Sequence, residues 1–124
     1  MKIHPTAIIS KLAKLADDIE VGPHTIIDDE VVIGKGAKIG ANVVLEGNTR
    51  IGDNCQVFTG SVIGSRPQDL KYSGEKTYLE IGNNNIIREY CTFNPGTNEG
   101  GGRTVVGDNN LFIAFEHFAH LLYG

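Results

Sequence analysis

Reading every sixth residue from Ile3 gives Ile3, Ile9, Leu15, Val21, Ile27, Ile33, Ile39, Leu45, Ile51, Val57 and Ile63, all aliphatic. Four places further on in each unit stand Ala7, Ala13, Ile19, Thr25, Val31, Ala37, Val43, Thr49, Cys55 and Ser61, each small or β-branched. Directly after the aliphatic residue, Gly22, Gly34, Gly40, Gly52 and Gly64 recur as "IG" or "VG". A period of six is not a multiple of 3.6, so no α-helix keeps this stripe on one side. One continuous strand of that length is equally foreign to globular proteins. The pattern therefore predicts an all-β solenoid of short parallel strands with a bend after each. The aliphatic residue points inward, and the small residue packs where the wall turns. Glycine and Asn/Asp take the backbone angles that other residues resist. Three units make one triangular coil of roughly 18 residues, and coils stack along an axis.

Two interruptions stand out against this regularity. In "SRPQDLKYSGEKTYLE" the sixth positions hold Asp69 and Glu75, and the aliphatic phase returns at Ile81, Ile87 and Phe93. A loop near 65–79 thus leaves the wall and replaces part of one coil. After "NEGGGRT" the step resumes at Val106, Phe112 and Phe118 with a shifted phase, which places a second loop near 98–104. Loops hung on a rigid scaffold are where function concentrates. "QDLKY" offers Asp69, Lys71 and Tyr72, a mix suited to gripping a polar ligand. "EGGGR" lacks the spacing and following helix of a P-loop and reads as a flexible loop.

Composition narrows the function classes. The 124 residues suit a single domain, 1–124, whose modest size makes oligomerisation favourable. A net charge of −4 with scattered Lys and Arg gives no track for nucleic acid. No stretch approaches the roughly 20 apolar residues of a membrane span, and the N-terminus does not read as a signal peptide. Cys55 and Cys91 form no metal motif and are expected as small buried side chains in a reducing compartment.

The sequence closes on "FEHFAHLLYG", with His117 and His120 three apart. On a helix they would share a face, but the six-residue unit sets them in different phases. A zinc site needs three or four protein ligands, which one chain does not supply here, so no metal and no cofactor are expected. On the residues alone, wall histidines and catalytic histidines both remain open.

"IHPTAI", "QDLKYSGE", "GGGRTVVGDNNL" and "HFAH" occur in this order. Together they resemble the N-terminal half of the acyl-[acyl carrier protein]–UDP-N-acetylglucosamine O-acyltransferases of lipid A synthesis. These are hexapeptide-repeat, left-handed parallel β-helix proteins. The hand comes from the resemblance, since parallel crossovers are otherwise right-handed. The resemblance implies a cytoplasmic homotrimer with active sites between subunits. Its substrates would be UDP-N-acetylglucosamine and a 3-hydroxyacyl chain on acyl carrier protein. It casts His120 as the general base, with His117, Gln68, Asp69 and Lys71 contacting substrate. Asn94 stands where many members have His, and Pro95 where they have Arg. Glu116 is unusual before the first histidine, and Leu121 replaces the acid that orients the base. The family's later coils and C-terminal helical region are absent from this sequence, so a stack uncapped at that end is expected to be weakly stable or self-associating. Another hexapeptide-repeat sugar acyl- or acetyltransferase, and a non-catalytic trimerising scaffold, are the alternatives.

Overall fold

A computed structural model describes residues 1–65, 77–95 and 102–114. Among these lie sixteen strands, numbered β1 to β16 in chain order, which build three parallel walls. The first wall stacks β1 (Lys2–Ile3), β4 (Glu20–Val21), β7 (Lys38–Ile39), β10 (Gln56–Val57), β13 (Ile86–Ile87) and β16 (Leu111–Phe112). The second stacks β2 (Ile8–Ile9), β5 (Ile26–Ile27), β8 (Val44–Leu45), β11 (Val62–Ile63) and β14 (Thr92–Phe93). The third stacks β3 (Lys14–Leu15), β6 (Val32–Ile33), β9 (Asn48–Ile51), β12 (Tyr78–Ile81) and β15 (Arg103–Val106). The chain visits the walls in turn, and Lys2 pairs with Glu20, so an unbroken coil takes eighteen residues. No helix among the described residues is long and apolar enough to cross a membrane.

Strands this short are held by stacking along the axis. An N–H of each coil donates to a carbonyl of the next, as from Lys2 to Ile19 (2.9 Å) and from Gly22 to Ile39 (2.8 Å). Alternation within each strand sends the aliphatic residue inward and its predecessor outward. Ile27, Ile33, Leu45, Ile51, Ile63, Ile81 and Ile87 are fully buried, each stabilising the fold by about 1.5–3 kcal/mol relative to exposure. The residues two places before the inward aliphatics fill the corners. Cys55 and Cys91 are buried there as free thiols, as the sequence predicts. Where a corner residue is polar, its side chain bridges coils. Thr25 donates to Gly40 O (2.6 Å), and Asn85 donates to Gly107 O (2.7 Å) and accepts from Asn110 N (2.8 Å).

The glycines after the aliphatics do a different job from the one expected. Of Gly22, Gly34, Gly40, Gly52 and Gly64, only Gly64 has a left-handed backbone (φ 92°). The others are needed for close approach: a Cβ on Gly22 would lie 2.7 Å from Gly40 C, and one on Gly52 would lie 2.5 Å from Gly82 O. The left-handed angles fall two residues later, on Gly36, Asn54, Asn84 and Asn109 at one corner and on His24, Asn42, Gly60 and Tyr90 at another.

Register fixes how each interruption fits. Ile81 follows Ile63 by eighteen residues, a full coil by count, yet it pairs with Ile51 on the third wall. Thirty residues separate that pair, so the segment replaces one wall step and adds twelve residues. Val106 pairs with Ile81 twenty-five residues earlier, so the second segment adds seven. Wall structure resumes at Tyr78 and Arg103, inside the expected limits of both loops.

Candidate active site

The roots of both added segments lie at one corner, between the second and third walls, in successive coils. Three layers can be followed there. The third coil crosses the corner in a tight turn, Glu46-Gly47-Asn48-Thr49. The fourth crosses it by residues 66–76, between Ser65 and Thr77, and the fifth by residues 96–101, between Pro95 and Gly102.

The turn beneath is built to meet both ends of the first segment. Gly47 is left-handed (φ 68°), and a Cβ there would lie 2.8 Å from Gly64 O. The Glu46 carboxylate accepts from Ser65 Oγ (3.2 Å), where the segment departs. Asn48 Nδ2 donates to Thr77 O (3.3 Å), where it returns. Thr49 Oγ1 closes the turn on Glu46 O (2.7 Å). The coil above seats the same ends, since Gly64 N donates to Phe93 O and Tyr78 N to Gly102 O, both at 2.8 Å. β9, β12 and β15 are four residues long where the other strands have two, so pairing is most extensive where the segments rejoin the wall. Glu80 and Arg103 form an ion pair on the outer face of this wall, and the Arg103 guanidinium lies 5.4 Å from the Tyr78 ring centre.

Asn94 is the one expected site residue within the described chain. It is half-buried, directly follows β14 and stands at the root of the second segment, so the fold brings it to this corner. Gln68, Asp69 and Lys71 fall in 66–76, and His117 and His120 in 115–124, outside the described residues. The sequence reading passed over Glu46, Asn48 and Ser65. The one signal available was Gly47, a glycine outside the "IG" position.

Other candidates lack chemistry. Among the described residues no three His, Cys, Asp or Glu side chains converge to hold a metal. His4 bonds Thr6 Oγ1 (2.9 Å) at a different corner. Burial pushes the Cys55 and Cys91 thiols up, outweighing hydrogen bonds from backbone groups that act the other way. Neither is a nucleophile near neutral pH. A groove of about 870 Å³ lies along the first wall, where Gly22 and Gly40 leave room between His4, Lys38 and Phe58. Its described lining lies on the first wall, away from the corner where the interruptions begin and end, and does not include Asn94.

Comparison with known proteins places this architecture. Residues 30–65 match the family model "Bacterial transferase hexapeptide (six repeats)". The crystal structure of UDP-N-acetylglucosamine O-acyltransferase from Moraxella catarrhalis superposes with a TM-score of 0.93 at 43% identity, covering 99% of this chain and 49% of that one. The chain is a hexapeptide-repeat, left-handed parallel β-helix. Among curated proteins it is 48% identical over 119 residues to the acyl-[acyl-carrier-protein]–UDP-N-acetylglucosamine O-acyltransferase of Thermodesulfovibrio yellowstonii, covering 96% of this chain and 46% of the relative. The corresponding protein of a Sulfurihydrogenibium species is 53% identical over 120 residues, covering 97% and 44%. The resemblance drawn from four short motifs thus extends over nearly all of the chain, which spans about half the length of the curated relatives it matches.

Proposed function

We propose that the chain carries part or all of an O-acyltransferase site that moves a 3-hydroxyacyl group from acyl carrier protein to the 3-hydroxyl of UDP-N-acetylglucosamine, a step of lipid A synthesis in the cytoplasm. The observation that carries this reading is the coincidence of two things. Relatives near 50% identity bear that activity in their names, and both departures from the repeat gather at one corner together with Asn94. In the reaction His120 takes the proton of the sugar hydroxyl as its oxygen attacks the thioester carbonyl. The tetrahedral intermediate collapses with cleavage of the C–S bond, and the imidazolium returns the proton to the departing thiol. A group titrating near neutrality suits both transfers. Backbone N–H donors suit the transient oxyanion. His117, Gln68, Asp69, Lys71 and Asn94 hold the nucleotide sugar and acyl donor, and no cofactor enters.

The second wall supports self-association into a trimer. Its outward column, Ile8, Ile26, Val44, Val62 and Thr92, carries no charge, whereas the first and third walls present Lys2, Glu20, Lys38, Arg50 and Glu80. Ile8 is 66% exposed. Incubation with UDP-N-acetylglucosamine and 3-hydroxyacyl-acyl carrier protein tests the function, with acyl-CoA donors alongside. Transfer from the carrier protein to the sugar 3-hydroxyl is the expected result. Preference for acyl-CoA or another sugar nucleotide would mark a different hexapeptide-repeat transferase, and absence of all transfer would mark a scaffold.

A further inference from the structure

We propose that the groove along the first wall is a second binding site, selective for a small ligand that carries a planar aromatic ring and an anionic group. The corner that follows this wall holds His4, Gly22, Gly40, Phe58, Arg88 and Ile113 in successive coils. Two neighbouring coils therefore lack a side chain there, and Ala41 beside them is small. From His4 to Phe58 the notch spans three strand spacings, roughly 14 Å. The space left measures about 870 Å³, within the range of small-molecule sites. Coil packing keeps both glycines, since a Cβ on Gly22 would lie 2.7 Å from Gly40 C and one on Gly40 would lie 3.1 Å from Val57 O. The notch is thus preformed in the stack.

Three kinds of contact surround it. At one end the Arg88 guanidinium of the following coil stands 4.1 Å from the Phe58 ring centre, and Phe58 also lines the groove. The ring is therefore held in place as a stacking surface. On the outer column Lys2 is in register with Glu20, and Glu20 with Lys38. Two ammoniums against one carboxylate leave this rim net positive, and no ion pair among the described residues engages either lysine. At the other end His4 Nδ1 accepts from Thr6 N (3.2 Å), which in the neutral ring leaves the proton on Nε2 as a donor. An aromatic ring laid against Phe58 with its anionic group toward Lys38 uses both the stacking surface and the charge. An aliphatic acid uses the charge alone, and an uncharged aromatic the ring alone. What these groups offer is recognition, away from the corner where the interruptions are rooted.

Titration calorimetry of the whole chain with 2-naphthoate tests the site, and binding of one molecule per chain is expected. Decahydro-2-naphthoate keeps the charge without the aromatic ring, and 2-naphthalenemethanol keeps the ring without the charge. Each is expected to bind about 5-fold more weakly or worse. A parallel titration with 2-naphthyl phosphate assigns the anion, the tighter of the two naming carboxylate or phosphate as the group the notch prefers. Lys38→Gln and Phe58→Leu are expected to weaken 2-naphthoate binding about 5-fold each, and Ala41→Trp, which fills the notch, to abolish it. Lys38 is exposed, so its substitution leaves the fold intact. Lys14→Gln on the third wall is expected to bind like the parent. A parent chain that binds no 2-naphthoate overturns the site. So does equal binding of the saturated acid or of the alcohol, and so does undiminished binding in Lys38→Gln and Phe58→Leu. An equal loss in Lys14→Gln would report a general attraction of charge and overturn it as well. The acyl-transfer reading is decided by its own assay and survives any of these results.

Discussion

Tyr90 occupies a left-handed backbone angle (φ 59°) in a column otherwise shared with His24, Asn42 and Gly60. Its ring lies against the Cα of Gly60 and remains 71% exposed, so little packing offsets the strain. A bulky residue held there costs on the order of 1–3 kcal/mol. Tyr90→Asn is therefore expected to raise stability by about 1 kcal/mol, read from the urea midpoint; an unmoved midpoint would refute the strain. Gly52→Ala tests the opposite requirement, since its Cβ would meet the Gly82 backbone of the next coil. A loss of about 2 kcal/mol or more is expected by the same measurement. The two thiols add a pH dependence. Burial raises both above the ordinary 9.0, so the folded chain keeps protons that the unfolded chain releases. Their contribution is complete below the unfolded value and is lost as pH rises towards the folded ones. Between about pH 8 and 10 the parent should lose more stability than the Cys55→Ala/Cys91→Ala variant. Equal losses would contradict it.

At the scale of elements, the two-residue strands were legible because stacking demands the same residue type at the same place in every coil. Ile27, Leu45 and Ile63 repeat one environment and so one chemistry. Where coils differ, the sequence spoke less clearly. The count from Ile63 to Ile81 fits a whole coil as well as one stretched step, and only pairing of Ile81 with Ile51 separates them. The role of the "IG" glycines was misplaced for a related reason. A sequence shows that a side chain is missing, and only the neighbouring coil shows whether a backbone angle or a close contact required it. Glu46 and Asn48 went unnoticed because each acts through residues far along the chain, Ser65 and Thr77, with no local motif.

For the whole molecule, the coil explains how residues distant in sequence come to one corner. Every connection from the second wall to the third turns at one corner, so the roots of both interruptions, Ser65 and Thr77, Pro95 and Gly102, come together there although they are distant in sequence. The placement of Asn94 at that corner was not legible beforehand, although the residue was named from motif resemblance. Wall phase, not residue type, decides it. The uncharged outer column of the second wall leads to an expected assembly of three chains of 13.4 kDa each. Sedimentation velocity should show it, and Ile26→Lys on that column should shift the population towards single chains. An unaltered distribution in the variant would move the interface elsewhere. The central claim, acyl transfer with His120 as base, is most directly tested by comparing the parent chain with His120→Ala in transfer from 3-hydroxyacyl-acyl carrier protein to UDP-N-acetylglucosamine. Loss of a general base is expected to lower kcat by about 10²–10⁴-fold while nucleotide-sugar binding is retained; full activity in His120→Ala would contradict the account.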